Sequence, residues 1–165
     1  MTRPFLKPVL SDRDIKETAD LAEIIWKEHF TPIIGSDQVG YMLAKFQSET
    51  AIRTQIRQGY LYFALMFEKK QIGYIGLRSD ADCLFLSKLY IQKEYRGNGY
   101  SRLMIAEAEK IAKQNNKSII RLTCNRHNDG SITVYKKAGF QIVREEKTDI
   151  GSGFIMDDYI FEKSV

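Results

Sequence analysis

Cysteine, histidine and proline are all scarce in this 165-residue chain, with two, two and three copies respectively, and each scarcity excludes something. Cys83 and Cys124 stand far apart and neither belongs to a C-x-x-C pair, which leaves no basis for a disulfide framework or a cysteine-type zinc site. Both are expected as reduced, partly buried thiols. The lone histidines, His29 and His127, are too scattered to form a metal centre, and no metal is expected. Few prolines, 11 glycines, no internal repeat and no low-complexity stretch leave no linker to divide the chain, so residues 1–165 read as a single domain. Met1 to Phe5 carry no apolar h-region and no run approaches the roughly 18 apolar residues of a membrane span, so a cytoplasmic protein without a membrane partner is expected. What is present suits one core: 44% hydrophobic and 28% charged residues. The net charge of +4 is a weak signal. Without an aromatic RNP pattern, helix-turn-helix spacing or a dense Arg/Lys stripe, no nucleic-acid partner is expected.

The patterning predicts an α/β fold. A first strand spans Arg3 to Val9. Ser11 and Asp14 form a capping-box-like start, and Ile15, Ala19, Ala22, Ile25 and Trp26 follow at near-helical spacing, which predicts a helix from Asp12 to Phe30 broken by Thr31-Pro32. Ser36-Asp37 and Ser48-Glu49 open two further helical segments, the second ending at Gly59. Strands then follow at Tyr60–Glu68 and Gln71–Arg78, joined by Lys69-Lys70 as a hairpin, and at Cys83–Ile91. A helix from Ser101 to Asn115, a strand from Ser118, a helix from Gly130 to Lys137 and strands at Phe140–Lys147 and Phe154–Glu162 complete the order.

The strand ending at Ile91 runs into Arg96-Gly97-Asn98-Gly99-Tyr100-Ser101, a glycine-bearing loop that opens a helix. Helix N-termini leave N–H groups unpaired and positive, so such a loop can cradle an anion. It is neither a Walker loop, because no Gly-Lys-Ser/Thr follows, nor a full dinucleotide fingerprint, because the third glycine is missing. The segment resembles the Q/R-x-x-G-x-G/A motif of the GCN5-related N-acetyltransferases, the GNAT family, with Ser101 in place of Gly or Ala. Downstream, Asn128-Asp129-Gly130-Ser131-Ile132-Thr133-Val134-Tyr135-Lys136-Lys137-Ala138-Gly139-Phe140 is similar to that family's N-x-x-A-x-x-x-Y-x-K-x-G-F segment.

This resemblance implies a mixed central sheet of six to seven strands, flanked by helices and splayed between the fourth and fifth strands, with acetyl-CoA as cosubstrate. It implies that the backbone of Leu89, Tyr90 and Ile91 pairs with the pantetheine arm. It also implies that the loop of Arg96, Gly97, Asn98, Gly99, Tyr100, Ser101 and Arg102 binds the pyrophosphate. Asn128 is either a turn former or a pantetheine ligand. Tyr135 is either a packed tyrosine or, as the family implies, the general acid that protonates the departing thiolate.

The acceptor side is less determined. An alkylammonium is mostly protonated at neutral pH and must lose a proton before it attacks. Many family members place a glutamate on the strand before the loop, where this chain has Ser87-Lys88. Glu28, His29, Asp157 and Asp158 are the candidate substitutes, with Trp26 beside them as a further acceptor-side residue. The Trp26-x-x-His29-Phe30 region, the long helical segment before Tyr60 and the end Gly153 to Tyr159 resemble bacterial polyamine acetyltransferases of the PaiA type, which implies a small polyamine acceptor and leaves peptides, amino sugars and amino acids open. The alternative is a GNAT-like module that binds CoA without turnover, and a homodimer is left open. Charge is distributed unevenly: residues 88 to 126 hold nine Lys/Arg against three Asp/Glu, around the expected anion loop. The C-terminal segment carries Glu145, Glu146, Asp149, Asp157, Asp158 and Glu162, which favours a cationic acceptor there.

Overall fold

Short alternating runs of apolar residues assemble into one seven-stranded sheet in the computed structural model, which describes residues 2–165. The strands are β1 (Phe5–Pro8), β2 (Leu61–Phe67), β3 (Lys70–Ser79), β4 (Leu84–Ile91), β5 (Ile119–Asn125), β6 (Gln141–Gly151) and β7 (Phe154–Ser164). Their spatial order is β1-β2-β3-β4-β5-β7-β6, and only β4 and β5 pair in parallel. The helices are α1 (Asp12–Ile34), α2 (Ser36–Met42), α3 (Glu49–Arg57), α4 (Tyr100–Gln114) and α5 (Asp129–Lys137). This is the expected mixed α/β sheet with flanking helices.

The Ser11 side chain accepts from the Asp14 N–H while the Asp14 carboxylate accepts from the Ser11 N–H, a complete capping box for α1. The helix does not stop at Phe30. It carries Pro32 in its last turn and ends at Gly35, whose φ of 86° suits glycine. Proline removes one backbone donor there, but Ile33 and Ile34 extend the apolar face onto Trp26, Phe30, Val39 and Met42, and that burial outweighs the lost bond. After α2, a π-helical turn at Leu43–Gln47, which no periodicity announces, leads to α3. The β2–β3 hairpin turns at Glu68-Lys69, one residue earlier than expected, with both residues at positive φ and Phe67 opposite Lys70. Strand β6 also extends past Lys147 to Gly151, because its pairing with β7 continues through Asp149 and Ile155.

Two irregularities position the site. First, Gly76 opposes Lys88 while Leu77 opposes Leu86, so Ser87 is an extra residue in β4. Side chains alternate along a strand, so the bulge exchanges the faces. Leu84 and Leu86 before it, and Leu89 and Ile91 after it, pack into the core with Met104 and Ile105 of α4. Lys88 and Tyr90 therefore turn to the opposite face, beneath α1 and the π-helical turn. Second, the β4–β5 ladder holds only Leu84 with Ile120 and Phe85 with Arg121. Beyond Phe85 the two strands part.

The parted end of β4 is held by β3, where Gly73 lies opposite Ile91. A Cβ on Gly73 would stand 2.5 Å from the Tyr90 carbonyl oxygen and 3.3 Å from the Ile91 Cα, both backbone atoms that cannot turn aside. Gly73→Ala should therefore destabilise the protein by about 1–3 kcal/mol, lowering Tm by roughly 2–4 °C per kcal/mol. An unchanged melting curve would refute this close approach.

Candidate active site

The separation of β4 from β5 leaves the backbone of Leu89, Tyr90 and Ile91 paired to β3 on one side and facing a cavity of about 280 Å³ on the other. The same cavity is lined by Arg96, Gly97, Gly99, Tyr100 and Ser101 from the loop that opens α4. Gly97 and Gly99 have φ of 80° and 78°, in the left-handed region that L side chains resist, and no atom lies within 4 Å of a Cβ built on either. Their glycine character thus answers a backbone requirement, with open space in front of the loop. Gly99 caps α4 without any side-chain hydrogen bond, so the first N–H groups of the helix remain available to an anion.

A second cavity, of about 270 Å³, lies on the α1 side of the sheet. Trp26 and Phe30 of α1, Met42 of α2, Lys88 of β4, Cys124 of β5 and Asp158 of β7 contribute to its wall. Tyr135 lines both cavities, as do Asn128, Ser131, Leu89 and Tyr90. The phenol of Tyr135 therefore stands at their junction. The residue is 7% exposed, its ring packs against Phe140 and Phe161, and burial pushes its pKa up. The phenol is thereby held neutral.

Asp158 is 6% exposed, and among the described residues its carboxylate makes no hydrogen bond or ion pair. Burial first, and then the neighbouring carboxylates of Asp157 and Glu146, push its pKa up to about 6. It faces the second cavity near Cys124, whose thiol burial pushes up to about 12, out of the range of a neutral-pH nucleophile.

The structure distributes the other expected residues as follows. Trp26 lines the second cavity, packed at 5.6 Å against the Tyr90 ring. His29 lines the first cavity instead, its Nε2 3.0 Å from Asn128 Oδ1 and its Nδ1 3.4 Å from an Arg96 nitrogen. Because an amide oxygen only accepts, Nε2 carries the proton and Nδ1 accepts from Arg96. Arg96 also donates through Nε to the Ile91 carbonyl at 2.8 Å. The Asn128 side chain does not cap α5 and reaches across to α1. Asn98 folds back onto the Tyr95 carbonyl, and neither it nor Arg102 lines either of these two cavities. Glu28 pairs with Lys93 at 3.7 Å and lines neither cavity. Asp157 pairs with Arg126 at 2.8 Å on the other face of β7.

Lys88 escaped the sequence reading as a functional group. It is 3% exposed, and its nitrogen donates to the Phe46 carbonyl, to Tyr62 Oη and to Gln55 Oε1, the last at 2.9 Å. The π-helical turn presents that Phe46 carbonyl, which also accepts from Gln55 Nε2 at 3.2 Å. Burial without a carboxylate partner lowers the Lys88 pKa to about 7. Its signal in the sequence was a single lysine inside an apolar strand. Among the described residues no cluster of three His, Cys, Asp or Glu could hold a metal ion, and no helix is long and apolar enough to cross a membrane.

The acetyltransferase (GNAT) domain model matches residues 31–156, and the chain belongs to that family. It is an N-acetyltransferase, with acetyl-CoA as its acetyl donor. It is similar to a spermidine N(1)-acetyltransferase of Thermoplasma acidophilum, with 29% identity over 153 residues, covering 90% of this chain and 92% of the relative. A crystal structure of the PaiA N-acetyltransferase from Thermoplasma acidophilum in complex with coenzyme A superposes with a TM-score of 0.81 at 25% identity, covering 99% of both chains. A GCN5-related N-acetyltransferase from Rhodopseudomonas palustris matches the fold with a TM-score of 0.84 at 19% identity, covering 100% of this chain and 98% of that one. The open glycine loop, the uncapped start of α4 and the half-paired end of β4 fit the phosphate and amide groups of acetyl-CoA.

The buried carboxyl of Asp158 sets a pH-dependent stability. Its folded pKa of about 6 exceeds the ordinary 3.8, so between these values the folded chain holds a proton that the unfolded chain has released. Its contribution to stability falls as pH rises through that window, and at neutral pH the ionised carboxylate is a cost. Asp158→Asn should stabilise the protein at pH 7.5 by about 1–3 kcal/mol and leave Tm unchanged near pH 4. Thermal melts at the two pH values check this, and equal shifts at both would contradict it.

Proposed function

We propose that the protein acetylates the primary amine of a small cationic acceptor, a polyamine foremost, by direct attack within a ternary complex. The observation that carries this reading is the junction of the two cavities at Tyr135, with Asp158 on the acceptor side and the glycine loop on the donor side. Acetyl-CoA supplies a thioester carbonyl for the amine nitrogen to attack, with the CoA thiol as leaving group. Leu89, Tyr90, Ile91 and Asn128 would hold the pantetheine arm, and the backbone of the Arg96–Ser101 loop the pyrophosphate.

The acceptor arrives as an ammonium, and the Asp158 carboxylate both attracts it and takes a proton from it. With a pKa of about 6, Asp158 is ionised at neutral pH yet basic enough to accept that proton. As the new C–N bond forms and the C–S bond breaks, the Tyr135 hydroxyl donates a proton toward sulfur, the nitrogen gives up its second proton to solvent to leave the neutral amide, and solvent reprotonates Tyr135. Trp26, Phe30 and Met42 give the acceptor's methylenes an apolar wall. The spermidine N(1)-acetyltransferase relative supports an amine of this type.

Acceptor-dependent release of CoA thiol, followed with acetyl-CoA and a panel of polyamines, amino acids, peptides and aminoglycosides, tests the reading. Release with polyamines above the acceptor-free background is expected. Tyr135→Phe should lower kcat by about 10²-fold or more with little change in acetyl-CoA affinity, because the phenol acts on the leaving sulfur. Unchanged turnover in that variant would remove Tyr135 from the acid role.

A further inference from the structure

The β6–β7 hairpin carries carboxylates on both faces, and the faces are treated differently. On one, Glu145, Asp157 and Tyr159 are gathered by Arg126, whose guanidinium lies 3.4 Å from the Glu145 carboxylate, 2.8 Å from that of Asp157 and 5.2 Å from the Tyr159 ring centre. On the other, Glu146 stands directly opposite Asp158 in the ladder. Among the described residues neither has an ion-pair partner. Arg144 is two positions along the same face from Glu146 and forms an ion pair with neither.

Like charges directly opposite one another on adjacent strands are unfavourable, and here one of the two is also buried against a cavity wall. Such a pair calls for a cation from outside the chain. We propose that Glu146 binds a second ammonium of the acceptor while Asp158 holds the reacting one, so that Glu146 selects diamines and longer polyamines over monoamines. This deepens the acetyl-transfer reading above and rests on it.

The geometry sets direction and length. Opposed side chains in a ladder have Cβ atoms about 4.5–5.5 Å apart, a span that an amine pair separated by three or four methylenes can match. The second charge has no place at the other end of the cavity, where Lys88 already gives its nitrogen to Phe46, Gln55 and Tyr62 and no carboxylate accompanies it. An acceptor cation must therefore extend outward along β6, where Glu146 is exposed.

The test compares kcat/KM for propylamine, 1,3-diaminopropane, 1,4-diaminobutane and 4-aminobutyrate in the parent protein and in the E146Q and E146D variants. In the parent, the diamines should exceed propylamine, and 4-aminobutyrate should be the poorest. E146Q should lower the diamine values by about fivefold and leave propylamine unchanged, while E146D retains most of the diamine preference. If E146Q leaves the diamine-to-monoamine ratio as it was, or if the parent does not distinguish the two, the assignment of Glu146 is overturned while acetyl transfer stands. If no amine at all releases CoA thiol, the acetyl-transfer reading fails and this inference falls with it.

Discussion

The site depends on one constraint, the brevity of the parallel ladder between β4 and β5. Parallel strands normally gain from every further pair of hydrogen bonds. Here only Leu84 with Ile120 and Phe85 with Arg121 are joined, and the remaining backbone of β4 is left without a partner on that side. Backbone groups left unpaired away from water are costly, so the opening makes sense as a place for an extended ligand that completes the strand. The Ser87 bulge adds the second half of the arrangement. It keeps Leu89 and Ile91 in the α4 core while sending Lys88 and Tyr90 to the acceptor face, so one strand serves two cavities.

That arrangement carries opposed buried charges that packing alone would not choose. Lys88 and Asp158 are both nearly inaccessible, line the same cavity and are not paired with each other. Lys88 is compensated by three oxygen acceptors, one of which exists because the π-helical turn frees the Phe46 carbonyl. A buried amine satisfied in this way stitches β4 to the helical layer above it. Asp158 has no such compensation among the described residues. That carboxylate is costly in the folded state and faces a cavity it shares with a neutral phenol.

The donor half of the site was legible in the sequence because its requirements are local. Gly97 and Gly99 are needed for their positive φ, and the loop, the start of α4 and the Asn128-to-Tyr135 segment all lie within short stretches whose spacing is set by strand and helix periods. The acceptor half was not, because it is assembled by sheet register. The bulge at Ser87 reverses which residues of β4 face the cavity. Trp26 and Phe30 reach it because α1 lies across that face of the sheet and sets both rings against Tyr90. Asp158 could be named as an acid near the end of the chain, but nothing local separated it from Asp157, which sits on the opposite face with Arg126.

The basic stretch from residue 88 to 126 shows the same limit in its charges. Much of its excess is used internally: Arg121 is taken by Asp82 and Glu162, Lys93 by Glu28 and Arg126 by Glu145 and Asp157. Arg96 is the member that lines the donor cavity, beside the N-terminus of α4. The acidic hairpin is divided just as sharply by a single residue. Ile142 opposes Phe161 and Arg144 opposes Ile160, which leaves Val143 as an extra residue in β6. Without it Glu145 would stand opposite Asp158 and Glu146 opposite Asp157. Two adjacent glutamates that are equivalent in composition thus acquire different neighbours, one beside Arg126 and the other beside the unpaired carboxylate of the cavity, through one bulge.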